Sequence, residues 1–381
     1  MNPTRRQFLR GAIGWGGLLL AGSLELAAAR RAEPLRCAHC YLAAHQSTDG
    51  AWRSARYAAF RDGDALTPVV LWAIQAASAA HPTRDSFARG LNWLCDLTDA
   101  LRDRDDPWSG LRYPLFTASY SAQVLARRGD SDRAAVWVKI IQTLRTSDDL
   151  GWPAHDPICG AWSDASRPPR YVSPVPDMLA PNISATALAV SALAAAGCVG
   201  AGVTARPFIE SCQNFAEEHP AEFDDGGFFF ALDDPIRNKA GRAGSDARGR
   251  MRFHSYGSAT CDGWLGLRAC GLPQEHPRLR AAAEWLRNRC DGLTPAGDWP
   301  MGRAEARASL AYYQTQALAT VLADLPSADQ WAQTLRERLL SSLLAGQAHD
   351  GSWQGLAPDS CEDEPLLATA FAARALSLLA G

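Results

Sequence analysis

Two short stretches of this sequence, far apart in the chain, place the same residue types at the same spacing. "HQSTDGAW" at 45–52 and "GQAHDGSW" at 346–353 each contain Gln, then Asp-Gly, then Trp, about 300 residues apart. Glycine adopts a left-handed turn at little cost, and Asp before it favours the same turn. The Trp ring can pack over a helix end, where the Gln amide can bind unpaired backbone groups. Such a repeated turn predicts a chain of similar helical units.

Further copies of this frame alternate with segments of a second kind. The QW-like positions are Gln46, Gly50, Trp52, Gln142, Gln213, Gln347, Gly351 and Trp353, with weaker copies before Trp108 and Trp299. Segments rich in Ala, Ser and Thr begin at Ala65, Pro114, Asn182, Ser255, Glu305 and Glu364. Small residues permit close approach around a crowded centre, whereas the first set carries an apolar stripe and a charged face. The pattern predicts an all-α fold with little strand, a single (α/α)6 toroid of six helical hairpins.

This frame resembles the QW repeat of squalene-hopene cyclases and protein prenyltransferase beta subunits, which share the toroid. The resemblance covers residues 30–381. It is closest to exported bacterial prenyltransferase and squalene oxidase repeat proteins. The stretches that carry the closer match are "DDGGFFFALDDPIRNKAG" from Asp224, "SYGSATCDGWLGLRACGL" from Ser255 and "EDEPLLATAFAARAL" from Glu362. We therefore expect a terpenoid cyclase-like domain over 30–381.

The N-terminus has the pattern of an export signal. "TRRQFLR" from Thr4 precedes a short Gly-rich apolar run and then "AAA" at 27–29. Paired arginines before such a run resemble a twin-arginine signal, so we expect a signal peptide over 1–29 and a periplasmic or extracellular protein. The alternative is a short buried helix with a basic start. No later segment reaches the ~18 uninterrupted apolar residues of a membrane span, so no transmembrane segment is expected in the mature protein.

The charge distribution excludes one class of partner. The formal net charge is −3, and Lys and Arg are scattered rather than clustered. Because no basic face is available to neutralise phosphates, we expect no nucleic acid partner. The chain also has ten cysteines, which we interpret as small, largely buried residues of a protein folded before export.

The resemblance implies two kinds of chemistry, and the sequence departs from both. Class II cyclases protonate an alkene with an Asp in a D-x-D-D-T-A segment; "NISATA" at 182–187 keeps Thr186 and Ala187 but has no acidic residue. Amides and hydroxyls are too weak as acids for that step. Prenyltransferases hold zinc with D-x-C and a His. "DSC" at 359–361 has that spacing without a corresponding His, so we predict no cofactor, with zinc as the alternative. "CAHC" at 37–40 is a lone pair that favours packing.

Other polar residues are candidates for the central cavity. The predicted catalytic residues are Glu362, Asp363 and Asp262, and the predicted cavity-lining residues are Asn182, Tyr312, Tyr313 and Glu364. The acidic run at 362–364 directly precedes an inner helix, whose N-terminus we expect to open toward one mouth of the cavity. The alternative is that these acids only stabilise the helix dipole.

Three functional hypotheses follow. The first is a protein that binds a small apolar, isoprenoid or lipid-like molecule in the central cavity without class II protonation. It predicts a deep apolar cavity. The second is an enzyme of unknown specificity that uses the inner-helix carboxylates. The third is an interaction scaffold whose functional surface lies in loops such as the one from Lys239.

Overall fold

The computed structural model describes residues 32–75, 84–217, 221–326 and 329–380. The expected signal peptide lies outside the described residues. In chain order, the helices of the described residues are α1 (32–44), α2 (Leu66–Ile74), α3 (Arg84–Leu101), α4 (Pro114–Arg127), α5 (Ser131–Thr143), α6 (Ile183–Ala195), α7 (Val199–Gly202), α8 (Arg206–Ser211), α9 (Gly257–Ala269), α10 (Pro277–Arg289), α11 (Ala304–Ala308), α12 (Ala311–Asp324), α13 (Gln330–Gly346) and α14 (Pro365–Leu379).

The helices rich in small residues close into a ring. Within the described residues, α2 packs on α4, α4 on α6, α6 on α9, α9 on α12, α12 on α14, and α14 on α2. The amphipathic helices pack outside them, as α3 does on α2 and α13 on α14. The all-α toroid expected from the repeats is confirmed. The strict count of six hairpins stays a prediction, because the outer layer is irregular; α8 is only 6 residues long.

Composition explains which helices lie inside. Every residue of α2 is buried, as are most residues of α6 and α14. Close packing leaves no room for larger side chains. A Cβ added to Gly263 of α9 would lie 2.2 Å from the Phe228 ring. The contact of α9 with Phe228 therefore requires glycine at 263, whereas α2 fills the ring with Leu, Val, Trp and Ile side chains.

The repeated Gln and Trp join neighbouring units. Gln46 donates to the carbonyl of Gly50 at 2.8 Å and to that of Ser86, at the start of the next outer helix, also at 2.8 Å. The Trp52 indole donates to the carbonyl of Leu42 at 2.6 Å. Gln347 and Trp353 repeat this arrangement: Gln347 donates to Gly351 and Pro34, and Trp353 donates to Leu343. Since Pro34 lies in α1, this last turn joins the outer helix α13 to the first described helix.

The glycines of these turns are required by both conformation and space. Gly351 has φ +91°, and a Cβ there would lie 2.4 Å from the carbonyl oxygen of Cys37. Gly50 repeats this with φ +97° and a 2.5 Å approach to the carbonyl oxygen of Arg89. Only glycine satisfies both conditions without a shift of the neighbouring helix.

A threonine of the following inner helix completes several turns. The backbone N–H of Trp52 donates to the Thr67 hydroxyl at 2.9 Å, and that of Trp353 donates to Thr369 at 3.0 Å. The same bond joins Trp162 to Thr186 and Phe228 to Thr260. Among these threonines, Thr186 was named from the sequence only as a match to the cyclase segment, and none was predicted to complete a turn. Their separation from the aromatic residue varies with the length of the intervening loop.

One predicted copy is assigned to the wrong residues. Gln142 is exposed, and the structure places Arg145 where the other copies have Gln, paired with Trp162 in an isolated bridge. The Trp162 indole donates to the carbonyl of Ile141 at 2.6 Å. The first Gly-Trp after Gln142, at 151–152, belongs to a loop, in which the Trp152 indole donates to the carbonyl of Pro169. A long loop between Arg145 and Trp162 hid the true copy.

A small sheet interrupts the helical pattern before α9. Strands β1 (Arg242–Ser245) and β2 (Met251–Phe253) form an antiparallel pair. Buried Arg252 anchors this hairpin by donating to the carbonyls of Ser211 and Gln213. Its guanidinium also lies over the Phe229 ring, 4.9 Å from the centroid. The hairpin is fixed to the turn after α8.

No helix among the described residues is long and apolar enough to span a membrane. The ten cysteines are all free thiols, and four of them, Cys212, Cys261, Cys270 and Cys290, are buried. The structure thus agrees in part with the interpretation of cysteine as a small core residue, while Cys40 is exposed.

Candidate functional site

A cavity of about 320 Å³ lies at the N-terminal ends of the inner helices. Its lining includes the residues that cap or begin four of these helices, namely Tyr113, Asn182, Tyr256 and Leu310. Leu367, in the first turn of α14, also lines it. The inner helices therefore open together toward one end of the ring.

The walls of this cavity are mainly aromatic and aliphatic. They are formed by Phe60, Ala65, Val69, Phe116, Phe230, Leu367 and Phe371, with the rings of Tyr113, Tyr256 and Tyr313. The volume lies near the lower end of the ~300–1,000 Å³ found for small-molecule sites. It would hold on the order of ten groups the size of a water molecule. A small apolar molecule matches both the size and the lining.

One wall carries a polar group that the sequence analysis missed. Asp164 lines the cavity, accepts a hydrogen bond from the Asn182 amide at 3.0 Å and pairs with Arg237 at 3.3 Å. Burial raises the pKa of Asp164, and the Arg237 charge and the Asn182 bond oppose that effect. Asn182 also caps α6 by accepting from the N–H of Ala185 at 2.8 Å. The predicted cavity position of Asn182 thus coincides with a structural role.

The lining also contains Lys239 and the D-x-C segment. The Lys239 amine donates to the Ser360 hydroxyl at 3.0 Å, and burial lowers the pKa of Lys239. Asp359 and Cys361 also line the cavity. Burial raises the pKa of the Cys361 thiol to about 11, which keeps it protonated near neutral pH. Among the described residues, no group of three or more His, Cys, Asp or Glu side chains is arranged for a metal ion.

The inner end of the cavity is polar. Asp262 of α9 is 4% exposed and accepts from the Ser184 hydroxyl at 2.5 Å and from the Tyr313 hydroxyl at 2.9 Å. Ser184 and Tyr313 line the cavity, and Asp262 lies behind them. Burial raises the pKa of Asp262 to about 7, against the effect of the two hydroxyls. We call Asp262, Ser184 and Tyr313 the carboxyl–hydroxyl cluster.

Buried side chains continue the interior beyond this cluster. Tyr120 of α4 is buried and close enough to both Asp262 and Arg374 for their charges to influence its pKa. Arg374 of α14 is 5% exposed and lies over the Trp72 ring, 4.8 Å from the centroid. Burial lowers the pKa of Arg374 to about 10. Buried side chains therefore fill the interior beyond the cluster, and the deep apolar cavity that the first hypothesis predicts is limited to the end of the ring where the inner helices begin.

Glu362 caps the start of α12. Its carboxylate accepts from the backbone N–H of Tyr312 at 2.9 Å and of Tyr313 at 2.6 Å. The side chain is fully buried, and burial raises the pKa of Glu362 to about 8 against the effect of these donors. Glu362 is not part of the cavity lining that the described residues form.

The other two acids of this run bind a nearby loop. Asp363 pairs with Arg56 at 2.5 Å and accepts from the Tyr57 hydroxyl. Glu364 caps α14 by accepting from the N–H of Leu366 at 3.2 Å, and Ser54 donates to it. Neither is among the described cavity-lining residues. Both join the loop before α14 to the loop after the first Trp turn.

The predicted tyrosine pair is divided between two environments. Tyr313 lines the cavity. Tyr312 is buried but is not among the described lining residues, and its hydroxyl oxygen lies near Gly346. Of the predicted residues, Asn182 and Tyr313 reach the cavity directly, and Asp262 reaches it through its partners. The sequence analysis missed Asp164 and Lys239 as cavity residues. Asp164 lies two residues after Trp162, and this position next to a repeated turn is the signal that could have identified it.

Comparison with known proteins supports the fold. A variant of the type II terpene cyclase MstE from Scytonema, solved with its substrate geranylgeranyl dihydroxybenzoate, is similar with a TM-score of 0.60 and 14% identity, covering 93% of this chain and 98% of that one. An unsaturated glucuronyl hydrolase specific for heparin has a TM-score of 0.56 and 12% identity, covering 92% and 97%. A protein from Actinoplanes has a TM-score of 0.56 and 13% identity, covering 92% and 100%.

The terpene cyclase and the glucuronyl hydrolase act on chemically different substrates, although both are similar in fold to this chain. The fold alone therefore does not define an activity for this chain. No family model and no curated protein matches the sequence. Any functional conclusion rests on the residues of the cavity.

Proposed function

We propose that this protein is exported and binds a small apolar molecule, isoprenoid or lipid-like, in the cavity at the N-terminal ends of the inner helices. The observation that carries the proposal is the lining, in which four phenylalanines and several aliphatic side chains surround about 320 Å³. Burying an apolar ligand against such walls gains about 25 cal/mol for each Å² removed from water. The neighbour MstE was solved with a ligand that carries a geranylgeranyl chain, which supports an isoprenoid as one ligand class.

We further propose that binding does not involve class II protonation by the segment at 182–187. Asn182 serves as the helix cap, and Ser184 donates to Asp262. Neither side chain can supply a strong acid. The carboxyl group nearest to this segment belongs to α9.

Native mass spectrometry with organic extraction tests the proposal. The protein is purified from its own host, and we expect a retained apolar molecule of fixed mass. Val69→Phe, which fills the cavity, should remove that molecule, whereas Val203→Phe at a site 44% exposed should not. Retention of the same molecule by both variants, each with a folded circular dichroism spectrum, would place the ligand elsewhere.

An enzyme that uses Asp262 is the second candidate. The specific observation is that burial raises the pKa of Asp262 to about 7, so both protonation states are accessible near neutral pH. If the extracted molecule is a substrate, incubation with the protein should convert it, and Asp262→Asn should abolish conversion while binding persists. Equal conversion by this variant would remove Asp262 from the mechanism.

Export is tested separately by cell fractionation. Replacing both Arg5 and Arg6 with Lys should retain the protein in the cytoplasm, because the paired arginines are the feature that predicts the export route. Unchanged secretion of the double variant would contradict a twin-arginine signal.

A further inference from the structure

The two hydroxyls at the inner end of the cavity have a defined hydrogen-bonding direction. An ionised carboxylate only accepts hydrogen bonds, so Ser184 and Tyr313 must both donate their protons to Asp262. Each hydroxyl oxygen still has acceptor capacity. Because both residues line the cavity, that capacity is available to a ligand.

Two charged groups elsewhere in the lining, Asp164 and Lys239, have protein partners. Asp164 binds Asn182 and Arg237, and the Lys239 amine binds Ser360. They lie at the walls and rim, where the helix-capping residues are. The carboxyl–hydroxyl cluster instead combines a hidden carboxyl with two hydroxyls that a ligand can reach.

We propose that Ser184 and Tyr313 accept the hydroxyl proton of an apolar alcohol whose hydrocarbon part lies against the phenylalanine walls. This inference rests on the proposed function and specifies its ligand class. An alcohol has the donor that the two oxygens require, whereas an ether or a hydrocarbon of equal length does not. The carbon chain then occupies the aromatic part of the cavity, which is lined by Phe116, Phe230 and Phe371.

Protonation of Asp262 should change this preference. A protonated Asp262 donates to one of its two partners, and that hydroxyl is then free to donate to a ligand oxygen. The titratable and charged groups that influence this region are Tyr313 of α12, Tyr120 of α4, Arg374 of α14, and Tyr256 and Cys261 beside Asp262 itself. The tyrosines and the cysteine have pKa values raised by burial, so Asp262 is the group of the cluster that changes charge near neutral pH. Glu362, whose pKa burial raises to about 8, also titrates in this range, but it binds the backbone N–H of Tyr313 and not a hydroxyl, so Asp262→Asn isolates the contribution of Asp262.

Three probes of the same carbon skeleton separate these contributions. Geraniol donates and accepts, geranyl methyl ether only accepts, and the matching diene without oxygen does neither. Their dissociation constants are measured at pH 8.5 and pH 5.5 by displacement of a fluorescent apolar dye. At pH 8.5 we expect geraniol to bind roughly three- to tenfold more tightly than the ether, the effect of one hydrogen bond. At pH 5.5 that ratio should fall toward one.

Variants identify the residues responsible. Tyr313→Phe and Ser184→Ala should each reduce the preference for geraniol over the ether at pH 8.5 while the diene still binds. Tyr312→Phe is the matched control, since this tyrosine is adjacent in the same helix and lies outside the described lining. Asp262→Asn should remove the pH dependence of the ratio. Thermal unfolding of each variant checks that it is folded.

The outcomes separate this inference from the proposed function. If the diene and the ether bind as tightly as geraniol at pH 8.5, or if Tyr313→Phe keeps the full preference, the alcohol inference is wrong and the apolar cavity stands. If none of the three probes displaces the dye, both the inference and the proposed function lose their support. A preference that disappears in Tyr312→Phe as well would point to a general effect on α12 and overturn the assignment to Tyr313.

Discussion

Glu362, in the loop before α14, and Asp262, in α9, are both buried carboxyl groups, and they differ in the kind of partner they bind. Glu362 accepts from two backbone N–H groups of α12, which can only donate. Asp262 accepts from two hydroxyls, which can also accept and which face the cavity. A carboxylate bound by backbone N–H groups caps a helix. A carboxylate bound by hydroxyls, which can either donate or accept, can respond to a ligand or to pH.

The largest effect is expected at the cap. Glu362→Ala leaves the N–H groups of Tyr312 and Tyr313 without their acceptor, and each unpaired buried group costs roughly 1–3 kcal/mol. We expect a loss of about 2–6 kcal/mol in the free energy of unfolding, measured with urea. Glu362→Gln is the control, since it keeps one acceptor oxygen and should lose less. An Ala variant as stable as the wild type would show that Glu362 is not structural.

The second effect concerns pH. Burial raises the pKa of Asp262 from 3.8 to about 7, so the folded state holds this proton more tightly than the unfolded state. The resulting stabilisation is complete below the unfolded pKa of about 3.9 and is lost as the pH rises through 7. The unfolding free energy of Asp262→Asn, relative to that of the wild type, should therefore be higher at pH 8 than at pH 5. Glu362, whose pKa is also raised, contributes equally to both proteins.

Unfolding free energies at several pH values measure this difference. The curves of the wild type and Asp262→Asn should diverge between about pH 4 and pH 7. Parallel curves would mean that Asp262 is charged in the folded protein throughout this range, which would contradict the assigned environment.

The smallest effect is expected at Asp363, which belongs to neither kind of site. The Asp363 side chain is only 10% exposed, but its partner Arg56 is 50% exposed, so solvent screens the ion pair to about 0–1 kcal/mol. Asp363→Asn keeps an oxygen that can accept from the Tyr57 hydroxyl. Asp363→Asn should lower the unfolding free energy by no more than about 1 kcal/mol and leave the binding of geraniol unchanged. Loss of binding, or of turnover if an activity is found, would restore Asp363 as a functional residue.

The architecture could be predicted from short sequence patterns more completely than the site could. The turns at Gln46–Trp52 and Gln347–Trp353 were predictable because their bonds join residues close in sequence, and glycine marks their conformation. The copy at Arg145–Trp162 was not, since an extended loop separates its two halves and Arg replaces Gln.

The cluster at the end of the cavity was only partly predictable. Asp262 and Tyr313 were predicted from their places on inner helices, but Ser184, which lies in the "NISATA" segment, was not predicted. These three residues lie on α6, α9 and α12, and closure of the ring brings them together. No spacing in the chain encodes that contact. Likewise, Glu362 was predicted to be a cavity acid, whereas its carboxylate caps the N-terminus of α12.

A crystal structure of the protein with geraniol tests the central claim most directly. The account predicts the carbon chain against Phe116 and Phe371, with the alcohol oxygen within about 3.0 Å of the Ser184 or Tyr313 oxygen. An empty cavity at saturating geraniol, or a bound molecule whose oxygen lies away from both hydroxyls, would contradict it.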